Sequence, residues 1–191
     1  MTIKIKYISL ILLALTLATS YARASSEIDY SQLTPRKARP LAVNGDSKAQ
    51  LWMGNYKSNF ERKNNQREAV DWFEKAALNP KNSQKEAVEK IYTIINQKTR
   101  ENQYDFEETA NSINNNKLNE KLLDLANKGN AKAQYELGCK YFDSKERIEQ
   151  IALKAGVLFD PEGVELIYKS ALQFHNPAIV KLASIAKTIL K

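Results

Sequence analysis

Cysteine and histidine are almost absent from this 191-residue chain, which contains one of each, Cys139 and His175. A single cysteine excludes an internal disulfide, even in an oxidising compartment. The chain lacks the clustered His and Cys ligands of a zinc site and the Asp-rich spacing of a calcium loop. We therefore expect neither a metal nor a cofactor. Cys139 is expected to be a small buried hydrophobic residue, with an intermolecular bridge as the alternative.

Catalytic signatures are missing as well. The sequence has no Gly-rich phosphate loop and no nucleophile motif. Adjacent acids such as Glu107 and Glu108 diverge on a helix, so they do not form a paired-carboxylate site. His175 stands before Asn176-Pro177 at a predicted helix end, where it is expected to help cap carbonyl groups. The sequence thus predicts a protein that is not an enzyme and has no catalytic residues.

Long apolar runs are scarce, and the one near the N-terminus covers only residues 7–18. It follows Lys4 and Lys6 and precedes the small residues Ala22 and Ala24. This order is typical of a secretory signal peptide, and the run is shorter than the ~20 residues of a membrane span. We predict cleavage after Ala24, which gives a periplasmic or secreted protein with no membrane span in the mature chain. An uncleaved membrane anchor is the alternative.

Positive charge is only slightly in excess over negative charge. The formal net charge is +7, and the predicted signal peptide (residues 1–24) contains three of the basic residues and no acid. The basic residues that remain are spread among acidic ones and are not gathered into a stripe. We therefore expect no nucleic-acid partner.

The chain does contain a ten-residue pattern that occurs twice, as GDSKAQLWMG at 45–54 and as GNAKAQYELG at 129–138. Both copies keep Gly, Lys, Ala, Gln and Gly in the same register. A second pair supports the repeat, EAVDWFEKAAL at 68–78 and EGVELIYKSAL at 162–172. Internal repetition of this kind is typical of stacked helical hairpins. Apolar spacing of three and four predicts helices over 46–58, 66–79, 84–98, 104–113, 117–128, 131–142, 145–156, 161–174 and 177–190.

These residues carry a resemblance to a known family. AKAQYELGCKY at 131–141 fits the first-helix pattern of Sel1-like repeats, relatives of the tetratricopeptide repeat, and AVDWFEKAA at 69–77 fits the second-helix pattern. The chain therefore resembles an exported bacterial member of this family. The resemblance implies an all-α fold, an α/α solenoid of stacked antiparallel helical hairpins forming a right-handed superhelix over 45–191.

The same interpretation divides the chain and assigns its core. Residues 25–44 are polar and contain two prolines, so we expect a short extended or disordered leader there. The resemblance places Trp72 and Phe73 in the core, and it places small residues such as Gly138 where helices approach closely. The last predicted helix, 177–190, is expected to cap the stack.

The resemblance also implies a non-catalytic module that binds a protein or peptide on the concave face of the solenoid. The variable positions of the first helix point to that face. Each trio of candidates has i, i+4, i+8 spacing and forms one stripe. The stripes are Lys48, Trp52 and Tyr56 in the first copy, and Lys132, Glu136 and Lys140 in the second.

The two stripes differ in chemistry. The second is an ordinary solvated face with a possible Glu–Lys pair, whereas Trp and Tyr at solvent-facing positions are typical of an interaction hot spot. The alternative is that the leader around residues 41–43 covers Trp52 and Tyr56. Alternative functions are a periplasmic immunity protein that neutralises a secreted toxin and a cell-wall-binding protein.

Overall fold

A computed structural model of the protein describes residues 28–80, 83–101, 118–144 and 159–190. The predicted signal peptide at 1–24 and the helices predicted at 104–113 and 145–156 lie outside these residues. The chain divides into two compact units between Leu33 and Thr34. In the first unit, a short 3-10 helix, Tyr30–Gln32, follows Asp29. The Asp29 carboxylate accepts hydrogen bonds from the N–H and the hydroxyl of Ser31.

The described part of the second unit consists of α-helices and contains no strand, which confirms the predicted all-α class. Seven of its eight helices coincide with the predicted helices to within a few residues. The helices are α1 (Pro35–Val43), α2 (Ser47–Ser58), α3 (Lys63–Leu78), α4 (Gln84–Glu101), α5 (Leu118–Asn127), α6 (Ala131–Asp143), α7 (Pro161–Ala171) and α8 (Asn176–Ile189).

The eighth helix, α1, shows that the prediction of an extended leader over 25–44 is wrong for residues 35–43. Pro35 occupies the first turn, where its missing N–H would have no helical partner. Ala38 and Ala42 are buried, and α1 packs against α2. Tertiary packing therefore outweighs the second proline, Pro40, inside the helix.

The helices form two halves with the same internal order of packing, a first half at 35–101 and a second half at 118–190. In the first half α1 packs on α2, α2 on α3 and α3 on α4. In the second half α5 packs on α6, α6 on α7 and α7 on α8. The packing order of the helices is thus repeated over a longer stretch of the chain than the sequence pattern is.

Each half enters its second helix through the same turn. Gly45 and Gly129 follow α1 and α5 with φ of 88° and 85°, a conformation that favours glycine. The N–H of Gly45 donates to Ala42 O and that of Asp46 to Leu41 O; Gly129 and the next residue donate to the corresponding carbonyls of α5. This is the Schellman motif, which satisfies the last carbonyls of a helix.

The same turn occurs a third time, between α7 and α8, where the sequence has no glycine. Phe174 has φ of 60° and its N–H donates to Ala171 O, while the N–H of His175 donates to Ser170 O. His175 is therefore the residue before α8 begins, and Asn176 is already helical. The side chain of His175 makes no capping hydrogen bond to the first turn of α8.

Two other positions of the repeated pattern, the Asp or Asn after the glycine and the Gln four residues later, add hydrogen bonds to this turn. The carboxylate of Asp46 accepts from the N–H of Ala49 (2.7 Å), and the side chain of Asn130 accepts from that of Ala133 (2.9 Å). These are N-caps of α2 and α6. Gln50 Nε2 then donates back to Ala42 O (3.0 Å), as the equivalent Gln134 does to Ala126 O (3.1 Å). Each Gln is buried and fastens its helix to the one before it.

The second glycine of each pattern permits close approach of the following helix. A Cβ built on Gly138 would lie 2.8 Å from Gly163 O and from a side-chain carbon of Ile167. A Cβ on Gly54 would lie 2.4 Å from the ring of Phe73. Contacts this short require the backbone or the neighbouring side chain to move, so only glycine fits without displacement.

The two halves meet through α8, which packs against α3 and α4 as well as α7. Its buried residues join the main core with Phe73 and Ile91 from the first half. They are Ala178, Ile179, Leu182, Ala183, Ile185 and Ala186. The expectation that this helix caps the stack is wrong, because its apolar residues contact helices from both halves.

A half-buried ion cluster also joins α8 to α3. Lys187 Nζ of α8 lies 2.7 Å from Asp71 Oδ1 and 2.6 Å from Glu74 Oε2, both on α3. Burial alone would lower the pKa of Lys187, but the hydrogen bonds to the two carboxylates outweigh it, and the pKa is raised. A base whose pKa is raised on folding stabilises the fold below its unfolded pKa. That contribution is lost as pH rises through the folded value.

Gly138→Leu should lower the free energy of unfolding by about 1–3 kcal/mol, because the new side chain collides with the backbone of α7. Chemical denaturation measures the change. Lys140→Leu is the matched control on the exposed side of α6 and should change stability by less than ~0.5 kcal/mol. Equal stability of Gly138→Leu and the parent would contradict the close contact.

Lys187→Met should cost about 1 kcal/mol at neutral pH, since it leaves two carboxylates without their cation. The deficit should shrink at strongly alkaline pH, where the parent Lys187 also loses its charge. Urea unfolding at several pH values gives both quantities. The control Lys169→Met removes an exposed pair within one helix and should have little effect; a pH-independent deficit would argue against the ion cluster.

Candidate functional site

The first candidate stripe lies on α2, which begins at the capped turn after Gly45. Lys48 is exposed, and Trp52 and Tyr56 are half-buried. The two rings stack in parallel, with centroids 5.5 Å apart and an interplanar angle of 6°. The helical spacing of four thus brings the two predicted aromatic residues into direct contact. Whether they bind a partner stays a prediction.

Phe60 extends this aromatic stripe and was not among the predicted residues. It lies just beyond the end of α2, and its ring meets that of Tyr56 edge-to-face at 5.2 Å. Its exposed fraction is 42%. The signal was present in the sequence, because residues 52, 56 and 60 continue the spacing of four. We call Trp52, Tyr56 and Phe60 the aromatic ladder.

The second candidate stripe lies on α6, at the positions that correspond to the first. Lys132, Glu136 and Lys140 are exposed. Lys132 Nζ is 3.9 Å from Glu136 Oε1, so the anticipated Glu–Lys pair is present. An exposed i, i+4 pair of this kind contributes only a few tenths of a kcal/mol. The corresponding helix therefore forms with ordinary charged residues where α2 has Trp52 and Tyr56.

Trp72 and Phe73 on α3 have different environments, although both were expected in the core. Phe73 is fully buried, whereas Trp72 is half-buried and has Lys75 Nζ 4.4 Å from its ring centroid. Adjacent residues on a helix point about 100° apart, so only one of them faces the neighbouring helices. The prediction is correct for Phe73 and wrong for Trp72, which packs beneath a surface cation.

The single histidine, His175, takes part in a hydrogen-bonded contact between α7 and the start of α6. Ser170 Oγ donates to Ala131 O (2.6 Å) and lies 3.1 Å from His175 Nδ1. Since the hydroxyl proton is already used, Nδ1 donates to Ser170 Oγ. Ser170 is fully buried, so its hydroxyl is shielded from solvent, whereas His175 is half-buried. The contact of His175 is with a hydroxyl and not with the helix carbonyls that the sequence suggested.

Cys139 is half-buried and packs against the main core together with Tyr135. Burial raises the pKa of the Cys139 thiol, with opposing contributions from Tyr135 and Lys181. A raised pKa disfavours the thiolate, which is the nucleophilic form. The geometry therefore agrees with a packing role for this thiol.

Gln134 and Gln50 differ in their second hydrogen bond. Gln134 Oε1 accepts from Gln173 Nε2 (2.7 Å), whereas Gln50 Oε1 has no donor among the described residues. In the first half, Asn79 at the end of α3 donates to Gly45 O (2.7 Å). The two halves thus share the turn but differ in some of the side-chain hydrogen bonds around it.

Across 28–80, 83–101, 118–144 and 159–190, the His, Cys, Asp and Glu side chains form no group of three or more that would hold a metal ion. None of the helices in these ranges combines the length and the apolar character of a membrane span. Comparison of the chain with protein-family models, curated proteins and solved structures finds no match.

Because Trp52 is only half-buried, we expect its side chain to contribute little to the stability of the fold. Trp52→Ala should lower the free energy of unfolding by less than ~2 kcal/mol, whereas Phe73→Ala should cost about 3–5 kcal/mol, because Phe73 is fully enclosed. Denaturant unfolding of the two variants compares them directly. A Trp52→Ala deficit as large as that of Phe73→Ala would assign Trp52 to the core and remove it from the candidate site.

Proposed function

We propose that this protein is a non-catalytic, exported interaction module that binds a protein or peptide through the face of α2 carrying Lys48, Trp52, Tyr56 and Phe60. One observation carries the proposal. The half-buried rings of Trp52 and Tyr56 stand where the equivalent helix α6 has Glu136 and Lys140. Because α6 makes the same turn and the same close contact without aromatic residues there, the rings are not required to build the helix.

Partner binding explains the rings. Trp and Tyr dominate binding energetics because they bury large areas at a small cost in conformational entropy. The stack between Trp52 and Tyr56 and the edge contact of Phe60 restrict these side chains before a partner arrives. Preorganised side chains lose less entropy on binding, and this increases affinity.

The repeated turns support placing the protein among Sel1-like repeat proteins. In all three turns, the residue after the left-handed position both completes the Schellman motif and precedes the next helix. Helix–turn–helix units joined in this way are the building blocks of α/α solenoids. The proposed solenoid presents α2 and α6 on its concave face.

Two further parts of the proposal rest on the residues already described. Export rests on the apolar run at 7–18 and the small residues before Ser25. Absence of catalysis is supported by the full burial of Ser170, whose hydroxyl contacts His175, and by the raised pKa of the Cys139 thiol.

The test uses the protein as bait in an envelope extract, with mass spectrometry to identify what it retains. The double variant Trp52→Ala/Tyr56→Ala should lose a partner that the parent retains. Titration calorimetry with that partner should then show affinity lower by at least about tenfold, roughly 1.4 kcal/mol. Far-UV circular dichroism should be unchanged.

The matched control is Glu136→Ala/Lys140→Ala, which truncates the corresponding positions of α6. This variant should retain the partner with an affinity within about twofold of the parent. Loss of partner binding in both variants, or in neither, would refute the assignment of α2 as the binding face.

A further inference from the structure

The two equivalent helix pairs, α1–α2 and α5–α6, differ sharply in charge. Between Pro35 and Ser58 the chain has five cations and a single carboxylate, Asp46, which is engaged as the N-cap of α2. Between Leu118 and Asp143 there are four cations and four carboxylates. The five cations of the first pair are Arg36, Lys37, Arg39, Lys48 and Lys57.

The cations of α1 differ from the others in their partners. Arg36, Lys37 and Arg39 are exposed, and within the described part of the chain none of them has a carboxylate partner. By contrast, the second pair neutralises charge locally, through Lys128–Asp124 at 2.7 Å and the pair on α6. Although the basic residues of the chain as a whole are spread among acidic ones, the cations without a carboxylate partner in the first pair are concentrated on α1.

The helix that carries these cations, α1, is fastened to α2, which carries Trp52 and Tyr56. The bonds from Gln50 Nε2 to Ala42 O and from the Asp46 N–H to Leu41 O fasten α1 to α2. Axes of packed helices lie ~8–10 Å apart, close to the Debye length of ~8 Å at physiological ionic strength. The positive field of α1 therefore reaches a ligand that contacts the face of α2.

We propose that the surface formed by α1 and α2 binds an acidic peptide segment that carries an aromatic or other apolar side chain. This surface, the basic–aromatic surface, comprises Arg36, Lys37, Arg39 and Lys48 with the aromatic ladder. The carboxylates of the partner pair with the cations, and its apolar side chain packs on the rings. The inference rests on the proposed function, since it specifies the chemistry of the partner at that site.

The arrangement of the rings favours a peptide over a nucleic acid. Trp52 and Tyr56 stack on each other, so one face of each ring is already covered, and Tyr56 has a second ring contact with Phe60. Base recognition in single strands needs free ring faces. Aromatic rings on a helix that packs against the cationic helix α1 suit an apolar side chain flanked by carboxylates.

The probe is a labelled eight-residue peptide, Glu-Asp-Phe-Glu-Glu-Tyr-Asp-Glu, titrated with the protein and followed by fluorescence anisotropy. Binding should weaken as salt is raised to ~1 M, where the Debye length falls to ~3 Å. A peptide with Lys in place of every acid should not bind. A peptide with Ala in place of Phe and Tyr should bind at least about fivefold more weakly.

The decisive variant is Arg36→Glu/Arg39→Glu, which reverses two exposed charges without touching a buried residue. Affinity for the acidic peptide should fall by on the order of tenfold at low salt, with less loss at high salt. Lys121→Glu/Lys128→Glu makes the same change in net charge on the second pair, where both residues are exposed. That control should alter the affinity by less than about twofold.

Equal losses in the two charge variants would overturn the proposal, because the effect would then belong to net charge alone. Tighter binding of an oligouridylate 12-mer, or of vesicles of equal phosphatidylglycerol and phosphatidylcholine, through the same residues would overturn it as well. If Trp52→Ala/Tyr56→Ala loses the extract partner but Arg36→Glu/Arg39→Glu binds it normally, the acidic-segment inference fails and the proposed function stands. If neither variant affects the partner, both fail.

Discussion

The fold depends on the closeness of α2 to α3 and of α6 to α7, which the missing side chains of Gly54 and Gly138 permit. At Gly138 the facing atoms are the backbone of Gly163 and the side chain of Ile167, so two helices meet nearly backbone to backbone. Glycine in a helix costs about 1 kcal/mol relative to alanine. The dispersion contacts and apolar burial gained along the pair offset that cost. The position of α7, and hence of α8, follows from this contact.

The capped turns determine where each close contact begins. A left-handed residue ends one helix, and the next residue precedes the following helix. The connection therefore has almost no conformational freedom, and the entropy cost of ordering a loop is avoided. Phe174 performs the same turn with a side chain that rarely adopts positive φ. Half of its surface remains exposed, so the ring gains little from burial in return.

Much of the fold could be predicted from the sequence because the repeated residues each have a local physical cause. Glycine, the capping residue and glutamine at fixed spacing specify the turn, and apolar periodicity specifies the helices. Helix α1 could not be predicted in this way, since Pro40 in its interior argues against a helix and its stability comes from Ala38 and Ala42 packing on α2. The central position of α8 was also hidden, because contacts between distant parts of a chain leave no periodic signal.

The candidate site, like the fold, could be predicted from the sequence only in part. The spacing of Trp52 and Tyr56 predicted a common face, and their stacking follows from it. The cations of α1 were assigned to an extended leader, so their place on a helix packed against α2 became visible only when residues 35–43 proved helical. Trp72 was assigned to the core by pattern, whereas its orientation depends on which of two neighbours, Trp72 or Phe73, meets Gly54.

The engagement of α8 with α3 and α4 also limits how this architecture can be lengthened. Repeat arrays usually extend by adding units to an open end, where the last helix still offers a free apolar side. Here the two faces of α8 are occupied by α7 and by the first half. Another hairpin joined after it could not pack on the buried residues of α8 without displacing those helices.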